Sequence, residues 1–252
     1  MKSFLSCLSF VIAQFCLLPA TVFSADFSVN PVRISFEAGQ KTTALTVRNN
    51  SDEPLALQLS VVAWSQDDGG KDVYSKTEDV VAFPLIFKIK KDEQQIIRIG
   101  VTVPAGQTEK TYRLYLEELP PPQDKEERTG AFLRTLMKVG VPIFFAPLKP
   151  ATEGGIGKPL ISGRTLSFSV FNKGNLHFLV TNIAVRGFDK KNTMAFEADL
   201  GGWYILQGGS KKFSVDIPPE TCSQLDEITM EVSAHNLSLR ESLNVSPESC
   251  AP

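Results

Sequence analysis

Between Ala25 and Thr221 the sequence has no cysteine, and the whole chain has two histidines, His177 and His235. The first absence excludes an inter-sheet disulfide of the antibody kind over most of the chain. H-E-x-x-H, G-x-S-x-G, Walker A and dinucleotide-binding patterns are also missing, so no enzyme class has a sequence signal. His177, in "NLHFLV", reads as a partly buried strand histidine. "QDDGGKD" (66–72) has acidic residues beside glycine, but not the alternating ligands and terminal glutamate of a calcium loop, and reads as a hairpin turn. No metal or cofactor is expected. Charge of one sign is not in excess, with 26 Lys and Arg against 28 Asp and Glu. With no basic stripe either, nucleic acid is not an expected partner.

Long apolar runs are scarce as well. The one at the start follows Lys2, extends from Phe4 to Leu18, and gives way to Pro19 and the small-residue site Val22-Phe23-Ser24. This pattern is a secretory signal peptide over residues 1–24, cleaved between Ser24 and Ala25. The run falls short of the ~20 residues a membrane span needs, and no other approaches it. Cys7 and Cys16 leave with the signal. Cys222 and Cys250 remain, and in an oxidising compartment they most simply pair, which stabilises the C-terminal part by about 3 kcal/mol. N-x-S tripeptides occur at Asn49, Asn236 and Asn244, and matter only in a host that glycosylates secreted proteins.

What is abundant is period-two alternation. "NPVRISF" puts Val32, Ile34 and Phe36 on one face and Arg33 on the other. Leu45 and Val47, then Leu55, Leu57, Leu59 and Val61, then Ile97, Ile99 and Val101 opposite Arg98, then Tyr112, Leu114 and Leu116 opposite Arg113, repeat the pattern. Turn chemistry such as "NNSDEP", "KKDEQ" and "VPAGQ" separates the runs. The first half is an all-β domain of about seven strands. "APLKPATEGG" (146–155) is a Pro/Gly-rich break, and strands resume as "TLSFSVFN", "HFLVTNIAVRGF", "KKFSVDI" and "EITMEVSA". The expected organisation is a β domain over 25–147 and a second over 148–252. No internal repeat aligns the halves.

"GAFLRTLMKVGVPIFF" (130–145) is a long apolar strand that follows the charged loop "PPPQDKEERT". An unprotected strand of this kind is an aggregation hazard unless pairing with another chain is its purpose. The order "SVNPVRISFEAG", "TTALTVRNNSDEPLALQLSVVAW", "FPLIFKIKKDEQQIIRIGV", "TYRLYLEELPPP", "VGVPIFFAP" resembles the N-terminal domain of periplasmic chaperones of the chaperone–usher pilus pathway. The similarity spans Phe27 to about Pro147, and "FNKGNLHF" continues it weakly. "VPIFFAP" looks more like the archaic branch than the branch that builds P and type 1 pili.

The resemblance implies two immunoglobulin-like sandwiches in an L or boomerang arrangement, no enzymatic activity, and a periplasmic location. It implies that residues 130–145 are the strand lent to a pilus subunit lacking its own last strand, with delivery to an outer-membrane usher. Without a subunit, self-dimerisation or an ordered cap from the 120–130 loop would each protect that strand. Parity groups Leu133, Thr135, Met137, Val139 and Val141 on the donor face. The family also anchors the subunit's terminal carboxylate with cations. Arg33 matches the first; the second, a lysine, falls at Pro142, so Arg113 or Lys138 must substitute. Arg98 and Glu109 match interdomain ion-pair positions, with Asp226 as third partner. The alternatives are a secreted immunoglobulin-like module that self-associates through the same edge, which would need no foreign subunit, and an enzyme on a sandwich scaffold, which a bound metal would reveal.

Overall fold

The structure, a computed structural model, describes residues 23–24, 26–120 and 134–250. In the first half the strands are β1 (Phe23–Ser24), β2 (Phe27–Asn30), β3 (Ile34–Phe36), β4 (Thr42–Asn49), β5 (Leu55–Gln66) and β6 (Asp72–Lys76). They continue as β7 (Val80–Phe83), β8 (Ile86–Ile89), β9 (Gln94–Val101), β10 (Lys110–Glu118), β11 (Arg134–Thr135) and β12 (Lys138–Phe145). One sheet runs β3-β12-β10-β5-β6, with β8 also on β5, and faces a second sheet, β2-β4-β9-β7. Their inner faces supply a single core that includes Leu45, Leu57, Ile97, Leu114 and Ile143. The alternation read from β4, β5, β9 and β10 is the alternation observed.

"NPVRISF" departs from expectation. Instead of one strand, β2 pairs with β4 in one sheet and β3 pairs with β12 in the other. Pro31 has no N–H to continue the ladder, so the chain crosses between sheets there. Val32, expected on the core face, is left 76 % exposed on the crossover.

The second half holds β13 (Gly154–Ile156), β14 (Leu160–Ser162), β15 (Thr165–Asn172), β16 (Phe178–Asp189), β17 (Met194–Gly201), β18 (Tyr204–Ile205), β19 (Ser210–Asp216), β20 (Leu225–Ala234) and β21 (Leu237–Asn244). β13, β14 and β19 flank β15, opposite the sheet β17-β16-β20-β21. A separate core fills the space between them, with Leu166, Ile183, Ile228 and Met230 at its centre. Cys222 and Cys250 are bonded, with Cα atoms 5.7 Å apart. The molecule is all-β in two sandwiches.

One corner occurs twice. At the end of β4, buried Asn49 donates Nδ2 to the carbonyls of Glu53 (2.8 Å) and Ile89 (3.2 Å) and accepts from the Ser51 amide at Oδ1 (3.0 Å). At the end of β15, buried Asn172 donates to Leu176 (2.7 Å) and Ile205 (3.0 Å) and accepts from the Gly174 amide (2.9 Å). Both asparagines cap a strand by reaching four residues ahead and across to a distant strand. Asn49, the first N-x-S site, is therefore committed inside the fold.

Candidate functional site

The site is the outer face of the β3-β12-β10-β5-β6 sheet and one edge of β12. On β12, Val139, Val141, Ile143 and Phe145 point inward, while Lys138, Gly140, Pro142 and Phe144 point outward. β10 pairs with β12 over its full length, but β3 reaches only Ile143–Phe145. Among the described residues no strand pairs with the other edge of Lys138–Pro142. The core loosens in step with this opening. Val141 is 1 % exposed and belongs to the protein's own core, whereas Met137 and Val139 are half-buried against it. Thr135 is exposed and pairs with Ser24 through the short β1–β11 ladder; β1 falls inside the segment expected to be cleaved. Leu133 lies outside the described residues.

The three expected anchor cations have different surroundings. Lys138 is ion-paired with Glu117 across β10, and its ammonium lies 4.3 Å from the Tyr115 ring centre. Arg33 is exposed beside β3, next to Ile34, the partner of Ile143. It lines a pocket of about 160 Å³ with Ser35, Thr152, His177, His235 and Asn236. Arg113 stands directly opposite Pro142 in the β10–β12 register. It is only 8 % exposed, although strand alternation puts it on the outer face.

What covers Arg113 is aromatic. Its guanidinium carbon lies 4.2 Å from the centre of the Trp64 ring and 5.9 Å from Tyr74 and Trp203. Gly140 makes room for the arginine stem: a Cβ there would stand 3.1 Å from Arg113 Cδ and from Tyr115 Cε1. Partial burial holds the Tyr74 hydroxyl above the usual phenol range, so it remains a neutral neighbour of the cation. Cation–π contact uses the face of the guanidinium and leaves its in-plane donors unused. Arg113 Nε and Nη2, and Trp64 Nε1, are buried with no hydrogen-bond acceptor among the described residues.

The expected interdomain ion pair is corrected by the geometry. Glu109 does sit between the domains, but its Oε2 accepts from the His177 backbone amide (2.9 Å) and lies 2.8 Å from His177 Nδ1. The His177 ring stacks on Phe144 at 3.5 Å. No ion pair among the described residues includes Arg98 or Asp226. Arg98 points outward from β9, in the opposite sheet from β10. Asp226 lies in β20 beside the Asp189 end of β16, while His177 precedes the Phe178 end, and the twelve residues of β16 put those ends roughly 35 Å apart.

Other interdomain contacts left no signal in the sequence. Gln66 donates Nε2 to the Tyr204 carbonyl (2.9 Å) and accepts from the Leu206 amide (3.0 Å). Asn175 donates across the interface to the Gln107 carbonyl (2.8 Å), its own carbonyl accepts from the Glu109 amide, and a second Nδ2 bond to the Lys149 carbonyl (2.9 Å) holds it within the second domain. The "QDDGGKD" hairpin spends Asp67 Oδ1 on the Gly69 and Lys71 amides, both 2.9 Å away.

Among the described residues the site is thus an open strand edge bordered by the half-buried Met137 and Val139, with a cation on the adjoining sheet face. Through residues 26–150 the chain belongs to the pili and flagellar-assembly chaperones, matching their PapD N-terminal domain. That is a family of chaperones, not of enzymes. The chain is 27 % identical to the chaperone protein CssC of Escherichia coli over 126 residues, 46 % of this chain and 50 % of the relative. It is 26 % identical to the chaperone protein HifB of Haemophilus influenzae over 151 residues, 56 % of this chain and 60 % of the relative. The chain thus spans between half and three fifths of these curated relatives. Its fold is similar to the CsuC–CsuE chaperone–tip adhesion subunit complex from archaic Csu pili of Acinetobacter baumannii, with a TM-score of 0.58 and 19 % identity over 85 % of this chain and 98 % of that one. The E. coli chaperone DraB gives a TM-score of 0.57 at 12 % identity, covering 90 % and 99 %.

Proposed function

We propose that this protein is a periplasmic, archaic-type chaperone that captures pilus subunits by lending them β12 and then delivers them to an outer-membrane usher. The observation that carries the reading is the free edge of Lys138–Pro142 beside the half-buried Met137 and Val139. A guest strand added there gains main-chain hydrogen bonds, and Leu133, Met137 and Val139 supply the apolar side chains for its pockets. Arg113, whose unused donors face no acceptor among the described residues, is the favoured anchor for the guest's terminal carboxylate, with Arg33 at the next strand but one. Lys138, occupied by Glu117, is the weaker candidate. The chain enters the periplasm by its signal peptide, cleaved after Ser24. Its two domains divide near Pro147.

The test is native mass spectrometry of the protein purified from the periplasm of its own host. A one-to-one complex with a small β-rich subunit is expected, and it should disappear in the Leu133→Asp/Met137→Asp variant while the chaperone stays folded. A homodimer paired through β12, with no foreign subunit while surface fibres are being made, would favour the self-associating module instead.

A further inference from the structure

The buried donors around Arg113 have a shared chemistry. Arg113 Nε, Arg113 Nη2 and Trp64 Nε1 are all donors, all buried, and none has an acceptor among the described residues. A ligand that satisfies them brings acceptor atoms only, and the planar guanidinium fork matches a carboxylate better than a single oxygen. The site is nevertheless shut. Two of the rings around the guanidinium, Trp64 and Tyr74, come from β5 and β6, but the third, Trp203, comes from the second domain, just before β18.

Trp203 is suited to move. It is 39 % exposed, and its Nε1 donates to Asp72 Oδ2 at 3.2 Å. Its backbone is not free to follow, because a Cβ on Gly202 would stand 2.1 Å from the Val180 carbonyl oxygen, so this stretch is pressed against β16. Motion is therefore confined to the indole swinging off Asp72. Asp72 keeps other partners when that happens, since its carboxylate also accepts from Gln66 Nε2 (3.2 Å) and the Tyr74 hydroxyl (3.3 Å).

We infer that Arg113 and the Trp64 indole N–H form one carboxylate clamp, and that Trp203, latched to Asp72, is its lid in the subunit-free protein. The inference rests on Arg113 being the carboxylate anchor. A subunit's C-terminus displaces the lid, pairs with the three donors, and so couples register on β12 to contact with the second domain.

Trp64 and Trp203 are the only two tryptophans in the chain, so intrinsic fluorescence reports this site alone. The probe is N-acetylglycine, the smallest mimic of a peptide C-terminus, with N-acetylglycinamide at matched ionic strength as control. The carboxylate should give a saturable emission change and the amide none. Asp72→Ala and Trp203→Phe should each tighten carboxylate binding about fivefold by removing the latch hydrogen bond, and Trp64→Phe should weaken it by a similar factor. Arg113→Met should abolish the response, with folding checked by circular dichroism; if that variant does not fold, Arg113→Lys, which lacks the fork, should weaken it. Parent-like binding by both latch variants overturns the lid and leaves the anchor standing. Parent-like binding by Trp64→Phe removes the indole from the clamp. A response shared by carboxylate and amide, absent for both, or retained without the arginine fork overturns the lid and the anchor together.

Discussion

Gly140 controls the arginine from across the ladder. Its missing side chain is the space into which the Arg113 stem and Tyr115 ring fit. Gly140→Val puts branched carbon where Arg113 Cδ lies, and the displaced guanidinium loses its stacking on Trp64. Subunit recovered with the chaperone by affinity purification should fall at least about tenfold, if stacking and anchor are each worth on the order of 1 kcal/mol, while β12 stays paired to β10. At Asn49 and Asn172 the effect is on stability. Truncation to alanine at either removes two hydrogen bonds to carbonyls and one from an amide, and should cost roughly 1–3 kcal/mol in urea denaturation. That these asparagines are equivalent was invisible in "RNNSDEP" and "FNKGNLH", which share little but the asparagine. The likeness lies in which carbonyls they reach, and half of those come from strands over thirty residues away.

At the scale of the element, strand alternation was legible because the two-residue period survives wherever one face is buried. β4, β5, β9 and β10 follow it, but the pattern does not say which sheet a strand joins, and so Val32 was placed on a core face that the crossover at Pro31 denies it. Parity also grouped Met137, Val139 and Val141 correctly on one face. It could not grade them, because the gradient from half-buried to buried is set by where β3 stops. The turn between β16 and β17 gives a pH prediction. Asp189 Oδ1 accepts from the Lys191 and Thr193 amides at 2.8 Å, and the bond from Thr193 holds the carboxyl below the usual aspartate range. A depressed folded-state pKa contributes stability that is complete above the unfolded value of about 4 and lost as pH falls through the folded one. The Asp189 carboxyl signal should titrate below those of the unfolded chain by NMR, and Asp189→Asn should flatten that part of the acid-unfolding curve.

For the whole molecule, the domain interface was the part least legible beforehand. The resemblance matches Arg98 and Glu109 to ion-pair positions, with the acidic Asp226 as third member, yet the interface is closed by His177, Asn175 and Gln66, whose roles depend on how the two sandwiches are juxtaposed. Arg113 was identified as a candidate from its strand; its cover, Trp203, is ninety residues further on and in the other domain. Glu109→Ala removes the acceptor for the His177 amide. It should widen the distribution of interdomain angles in small-angle X-ray scattering while each sandwich keeps its own core.

The disulfide lies at the opposite pole from all of this. Cys222 and Cys250 adjoin the Asp189 end of β16, roughly 35 Å along that strand from the cleft. Chemistry at that pole is mechanically remote from the open edge of β12. A support or fluorophore attached near Ser249 would hold the molecule by its back, with β12 facing outward. Surface-bound protein oriented this way would present the open edge of β12 to solution, whereas random coupling through lysines would also consume Lys138 on that strand.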